Sequence, residues 1–409
     1  MAGVVIVGAG LAGAQTAIAL RQNNFAGPIT LIGQEQVPPY QRPPLSKNYL
    51  KGTMEASGVH VRPELFWLEN DVELRTGTAA AEIDRDGQVV TLADGEVIEY
   101  DHLVLATGAS NRVIPHAAGM PGIFDLRTLD DADALRPYLE PGSELVVVGG
   151  GFIGLEVAAA AREREARVTV IEALDRVMAR VVSPEMSTFF QRLHEAQGVR
   201  VLTKTQVQDL LENGRRMHVL LNDTRKLAAS CVLVGIGVVP NVELARRCDL
   251  EIEDGIVVND HLLTSDPNIS AIGDCAFYPC AISGRQHRLE SIQNATDQAR
   301  CVAARLTDNP EPYVAVPWFW TEQFGRTLQI AGVAPSSAES VFRGRAAEER
   351  FSVCRFVDGR LSAVESVNQP ADHIAARKLL ASGAADRITR EQVADVDTPL
   401  KSLVLAAQR

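Results

Sequence analysis

The chain has 409 residues, more than one ordinary hydrophobic core organises, so two or three domains are expected. With 46% hydrophobic and 22% charged residues the composition is that of a soluble globular protein, and no apolar run reaches the roughly 18 residues that a membrane-spanning helix needs. A formal net charge of −12 argues against general nucleic-acid binding and against adhesion to anionic membranes.

In chain order, IVGAGLAG opens a βαβ pattern: a β-branched strand, a turn with Gly8, Gly10 and Gly13, an Ala/Leu-rich helix, and a strand ITLIGQE that ends at Glu35. A Pro-rich loop follows, VPPYQRPPLSK, over 37–47. Within GQVVTLADGEVIEYDHLVLATG the Asp-Gly turn and the alternation predict a hairpin insertion that ends in a buried strand, LVLATG. A second α/β unit begins at ELVVVGGG, with Gly149, Gly151 and Gly154 opening the helix GFIGLE. It continues through VTVIE, ending at Glu172, a helix near 184–197, and strands to SCVLVGIGVVPN. The segment 254–276 predicts a strand ending at Gly273-Asp274, with a helix near 294–306 beyond it. From about 316, short strands precede an Ala-rich helix near 371–382. The large-scale duplication returns the strand ISAIGD to the first domain, which is then discontinuous.

Glycines at these spacings permit a tight turn, close backbone approach to a phosphate, and packing of the helix on the sheet, while helix N-terminal N–H groups face the anion. An acid about 20 residues further on accepts hydrogen bonds from ribose hydroxyls, and Glu35 and Glu172 supply it. Two complete units predict two dinucleotides. The six cysteines form neither a CxxC nor a zinc-type quartet, so no metal site is expected, and Cys275-x4-Cys280 is read as buried or idle thiols rather than a redox pair. MAGVVIVG lacks the basic start of a signal peptide, and the expected compartment is the cytoplasm.

The set GAGLAG, PYQRPPLSK, LVLATG, LRT, GGGFIGLE, GIGVVPN, IGDC and PWFWTEQ, in this order over residues 4 to about 370, resembles the FAD-dependent ferredoxin reductases of bacterial oxygenase systems. The resemblance implies an α/β fold of two Rossmann-like, glutathione reductase-like domains plus a C-terminal α+β domain. Its expected boundaries are 1–108 with 241–315 for FAD, 109–240 for NAD, and 316–409 for the C-terminal domain. It implies that Gly8, Gly10, Ala12 and Gly13 cradle the FAD pyrophosphate and that Glu35 takes the adenosine ribose. Arg42 and Lys47 match positions near the pyrophosphate and the isoalloxazine. Ala80, Arg127, Asp274 and Ile292 match contacts to adenine, the diphosphate or ring region, the ribityl chain and the flavin edge. Gly149, Gly151, Ile153, Gly154 and Gly235 fall in the NAD cradle. Glu156 is implied at the nicotinamide carboxamide and paired with Lys47 beside flavin N5, and Trp320 lies near the flavin edge. Lys47, Glu156 and Trp320 are thus the expected catalytic residues. Gln41 stands where the family commonly has Asp. Several of these residues also have a structural reading: Arg42 as a solvated loop charge, Lys47 as a surface lysine, Asp274 as a helix cap, Glu156 as a helix-dipole carboxylate on the first helical turn, Ala80, Ile292 and Trp320 as core.

Glu172 favours the 2′-hydroxyl of NADH over the 2′-phosphate of NADPH, although Arg176 and Arg180 lie close in sequence. Relatives that reduce disulfides carry one or two cysteines in the loop after the first ribose acid; PYQRPPLSKNYL has none. Reduced flavin is therefore expected to pass single electrons to an outside carrier. The resemblance points to a [2Fe–2S] ferredoxin serving a cytochrome P450 or a Rieske-type oxygenase, with the reductase a monomer or weak homodimer. Rubredoxin as acceptor, oxygen reduction as an NADH oxidase, and a redox-dependent binding protein are the alternatives.

Overall fold

A computed structural model describes residues 3–214 and 216–407. Contacts group the chain into two compact units, Met1–Gln41 with Ser57–Ser110 and Val239–Pro317, and Arg42–Ala56 with Asn111–Val238 and Trp318–Arg409.

The first unit is built on a five-stranded sheet in the order Ile269–Ala271, His102–Leu105, Val4–Val7, Ile29–Gly33, Val72–Thr76. Every pairing in it is parallel. Parallel strands buried on both faces need continuous apolar runs, and VVIV, ITLI and HLVL supply them. ISA indeed pairs with HLVL, Ile269 opposite Leu103, after an excursion of more than a hundred residues. The helices Leu11–Gln22 and Ile292–Arg305 pack together through alanines, and Ala14, Ala17, Ala299 and Ala303 are all buried. The expected hairpin insertion is a three-stranded antiparallel sheet, Ala80–Asp84, Val89–Leu92 and Val97–Glu99.

In the second unit a parallel sheet repeats the pattern, in the order Arg200–Leu202, Arg167–Ile171, Glu144–Val148, Cys231–Val234, Ile123–Phe124. An antiparallel sheet of five strands follows in the C-terminal part: Trp318–Gln323, Arg326–Gly332, Arg360–Val367, Arg350–Val357, Glu339–Arg345. Helix Pro370–Ala381 packs on this sheet. Spacing alone leaves 42–56 with the first fingerprint, whereas its contacts put it in the second unit. Tyr49 donates to Asp133 (2.8 Å), Lys51 pairs with Glu163 (2.7 Å), and Arg164 donates to the Lys51 carbonyl (3.0 Å). Among the described residues no helix is long and apolar enough to cross a membrane.

Candidate functional site

Both glycine turns sit at the C-terminal ends of central parallel strands, and their geometry repeats closely. Gly8 has φ +114° and Gly149 φ +107°, a region open to glycine at little cost. A Cβ on Gly8 would stand 2.1 Å from the Ala106 carbonyl oxygen, and one on Gly149 would stand 2.3 Å from that of Gly235. Likewise Gly13 would clash with the Gly8 carbonyl at 2.0 Å and Gly154 with that of Gly149 at 2.2 Å. By contrast, a Cβ on Gly10 or Gly151 meets nothing within 4 Å. These two residues are the N-caps of twelve-residue helices, without a side-chain cap and without an acid in the first turn. Free helix N–H groups facing open space beside a glycine fit a pyrophosphate. Ala12 and Gly154 are buried behind the turns, while Ile153 is 38% exposed.

The two acids expected at a ribose, Glu35 and Glu172, are not equivalent. Val7 pairs with Ile32 and Val148 with Ile171, so the position matching Glu172 in the first unit is Gly33, and Glu35 comes two residues later. Sterics account for the shift. A Cβ on Gly33 would lie 2.5 Å from the Cβ of Ala9, so the first turn leaves no room for an acid there. The second turn has Gly150 in place of Ala9, and Glu172 folds over it, accepting from Gly150 N and Leu174 N at 2.8 Å each. Glu35 instead accepts from the Tyr40 hydroxyl at 2.5 Å. Arg176 turns toward Ser187 Oγ (3.2 Å), and Arg180 reaches within 3.3 Å of where a Cβ on Gly237 would stand.

Arg42 donates to the Arg127 carbonyl, bringing together two candidates 85 residues apart. The Arg127 N–H is fixed in turn by Asp131 (2.9 Å). Asp274 lies in a 3₁₀ turn, Gly273–Cys275, where Gly273 has φ +75° and donates to Gln298 Oε1 at 2.7 Å. It caps no long helix: Ile292 opens the helix Ile292–Arg305, whose cap is Ser291. Ala80 is half-buried and starts its strand against the first unit's core. Cys275 is buried, its thiol donating to the Ile272 carbonyl at 3.2 Å, and burial pushes its pKa up.

Glu156 is the fifth residue of the helix Phe152–Glu163, not part of its first turn, and is only 6% exposed. Its carboxylate lies 2.6 Å from Lys47 Nζ and accepts from Ser46 Oγ (2.5 Å) and Thr321 Oγ1 (2.6 Å). A buried carboxylate needs such partners, and charge-assisted hydrogen bonds are the strong ones. Lys47 Nζ also stands 5.2 Å from the Trp320 ring centroid, within cation–π range. Lys47, Glu156 and Trp320 thus form one cluster. Ser46 and Thr321 are members that the sequence reading missed. Ser46 carries no signal beyond adjacency to Lys47, whereas the alternation in Trp318–Gln323 places Thr321 opposite Trp320. Among the described residues no group of His, Cys, Asp and Glu is arranged to hold a metal.

Two Rossmann-type cradles followed by an antiparallel C-terminal sheet define the class of two-domain flavoprotein reductases. The chain belongs to the pyridine nucleotide-disulphide oxidoreductase family, whose profile matches residues 2–299, with a reductase C-terminal profile over 318–404. It is 48% identical over 400 residues to rhodocoxin reductase of Rhodococcus erythropolis, covering 97% of this chain and 93% of that protein. It is similar to the solved ferredoxin reductase of the CYP199A2 system from Rhodopseudomonas palustris, with 45% identity, coverage of 99% and 100%, and a TM-score of 0.95. The covalent putidaredoxin reductase–putidaredoxin complex matches with 38% identity, coverage of 99% of each chain, and a TM-score of 0.96.

Proposed function

We propose that the protein is an FAD-dependent NADH:ferredoxin oxidoreductase that supplies single electrons to a [2Fe–2S] ferredoxin of a P450 or Rieske-type oxygenase system in the cytoplasm. The observation that carries this is the doubled cradle, whose two turns leave space and unpaired N–H groups for two pyrophosphates. Bound FAD supplies the conversion from a two-electron donor to one-electron delivery.

The residues present fit that group. In this reading Gly8, Gly10, Ala12 and Gly13 hold the FAD pyrophosphate and Glu35, oriented by Tyr40, its ribose. Arg42, Ala80, Arg127, Asp274 and Ile292 complete the FAD contacts carried over from the resemblance. Gly149, Gly151, Ile153, Gly154 and Gly235 shape the nicotinamide nucleotide site, and Glu172 gives it the preference for NADH by repelling a 2′-phosphate. Lys47 presents its ammonium to developing negative charge, held by Glu156 and covered by Trp320. Residues 1–108 with 241–315 serve FAD, 109–240 serve NAD, and 316–409 contribute the Thr321 and Trp320 side of the Glu156 cluster.

The acceptor loop favours an outside carrier. Residues 37–47 contain no thiol, and the described cysteines are free and, apart from half-buried Cys301, buried. Steady-state assays with saturating NADH and a [2Fe–2S] ferredoxin, a rubredoxin, or oxygen as acceptor test this. Turnover is expected to be at least tenfold faster with ferredoxin. Equal or faster turnover with oxygen alone would replace this reading by an NADH oxidase.

A further inference from the structure

Glu156 takes its third hydrogen bond from the C-terminal sheet, and that donor is the end of a buried row. Behind Thr321 stands Gln323 on the same face of the strand, its Nε2 donating to Thr321 Oγ1 at 3.3 Å. Behind Gln323 stands His194, whose Nε2 lies 2.8 Å from Gln323 Oε1. Thr321, Gln323 and His194 are fully buried, so no water competes for these bonds.

The row has one direction. A threonine hydroxyl has a single hydrogen, and here it goes to Glu156 Oε1. Its oxygen is then free only to accept, which orients the Gln323 amide with nitrogen toward Thr321 and oxygen toward His194. The His194 proton therefore sits on Nε2. Burial holds this ring neutral, its pKa lowered to about 4, and Nδ1 has no partner among the described residues. Each group is thus fixed by the one before it, and the terminus is the carboxylate that holds Lys47.

We propose that His194, Gln323 and Thr321 are positioning residues that fix the orientation of Glu156, and through it the place of the Lys47 ammonium. The inference rests on the reading of Lys47 and Glu156 as the groups that serve flavin reduction. It gives the C-terminal sheet a part in the chemistry, set by side chains 127 and more residues from His194 in sequence.

The test uses FAD-loaded protein and three variants. Thr321→Val keeps the shape and removes the hydroxyl, Thr321→Ser keeps the hydroxyl, and Gln323→Met keeps the bulk but cannot donate to Thr321. Loss of one charge-assisted hydrogen bond corresponds to roughly a 10- to 100-fold change. Stopped-flow reduction at saturating NADH is expected to slow by that factor in Thr321→Val and by less in Gln323→Met, which loses only a neutral hydrogen bond, with NADH affinity within about twofold, and to stay near wild type in Thr321→Ser. The midpoint potential of the bound flavin, from dithionite titration with an indicator dye, is expected to be lower in Thr321→Val than in wild type or Thr321→Ser. Wild-type reduction rate and potential in Thr321→Val would overturn the proposal, because a row that only packs is indifferent to the hydroxyl. The potential requires no nicotinamide. Wild-type protein that NADH fails to reduce would therefore refute the proposed function while the dye titration still decides the row.

Discussion

Position 150 is glycine because the carboxylate of Glu172 lies over it: a Cβ there would meet Glu172 Oε2 and Val177 Cγ1 at 3.1 Å each. In the first unit the same two places are exchanged, Ala9 keeping its methyl and Gly33 giving up a side chain. Gly150→Ala is therefore expected to push Glu172 off the Gly150 N–H and to weaken NADH binding about tenfold, roughly 1.4 kcal/mol. FAD content is expected to be unchanged, and titration calorimetry with an absorption spectrum reads both. Sequence spacing points to both acids and treats them as equivalent; the offset arises from a steric exchange visible only when Val7 and Val148 are aligned through their strand partners.

Three buried histidines weaken the fold toward acid, among them His373, which is lowered to about 4 by burial and by Arg377. His102 is lowered to about 3 by burial and by the neighbouring Arg305, and His194 to about 4 by burial. Their ordinary value is 6.5, so between pH 6.5 and about 4 the unfolded chain binds protons that the folded protein refuses. The stability that these rings contribute is thus fully present above pH 6.5 and falls as the pH drops, by about 1.4 kcal/mol per unit for each ring. Histidine-selective NMR is expected to show His102 and His194 uncharged at pH 5.5, and calorimetry a lower Tm at pH 5 than at pH 7. Titration of either ring near 6.5 would contradict the burial argument.

Between elements, the strongest unexpected connection is Arg355–Glu365–Ser183. Arg355 and Glu365 are 1% and 2% exposed and 2.9 Å apart on adjacent antiparallel strands. Glu365 also accepts from the Ser183 N–H (3.0 Å) and hydroxyl (2.6 Å), at the start of the helix Pro184–Ala196. Burial raises the Glu365 pKa, against the pull of Ser183 and Arg355. Removing one partner leaves an uncompensated buried charge, so Arg355→Met is expected to destabilise the second unit by about 3–5 kcal/mol, and Arg355→Met/Glu365→Leu by clearly less. Denaturant melts followed at the aromatic signal check the order of the two. Nothing in the sequence marks this contact, which joins residues 182 apart. The helices themselves were legible because their periodicity is local: 184–197, 294–306 and 371–382 were expected, and Pro184–Ala196, Ile292–Arg305 and Pro370–Ala381 are found.

Across the whole molecule, what the sequence carried was repetition. Two glycine turns, two strands after them and two closing strands, LVLATG and VLVGIG, let the return of ISA to the first sheet be read in advance. The resemblance implies the Glu156–Lys47 pair, but the rest of the environment of Glu156 was not legible, since Ser46 and Thr321 reach it, with Gln323 behind Thr321, from segments that no period relates. Nor was the attachment of 42–56 to the second unit, which depends on single contacts such as Tyr49 with Asp133.

The central claim is that two nucleotide cradles pass electrons from NADH through FAD to a one-electron carrier. Anaerobic stopped-flow mixing of the FAD-loaded protein with NADH, followed by an oxidised [2Fe–2S] ferredoxin, tests it most directly. The flavin band near its visible maximum is expected to bleach on the first mixing and to return on the second as the ferredoxin is reduced. A protein that takes up no FAD, or whose flavin NADH leaves oxidised, would contradict it.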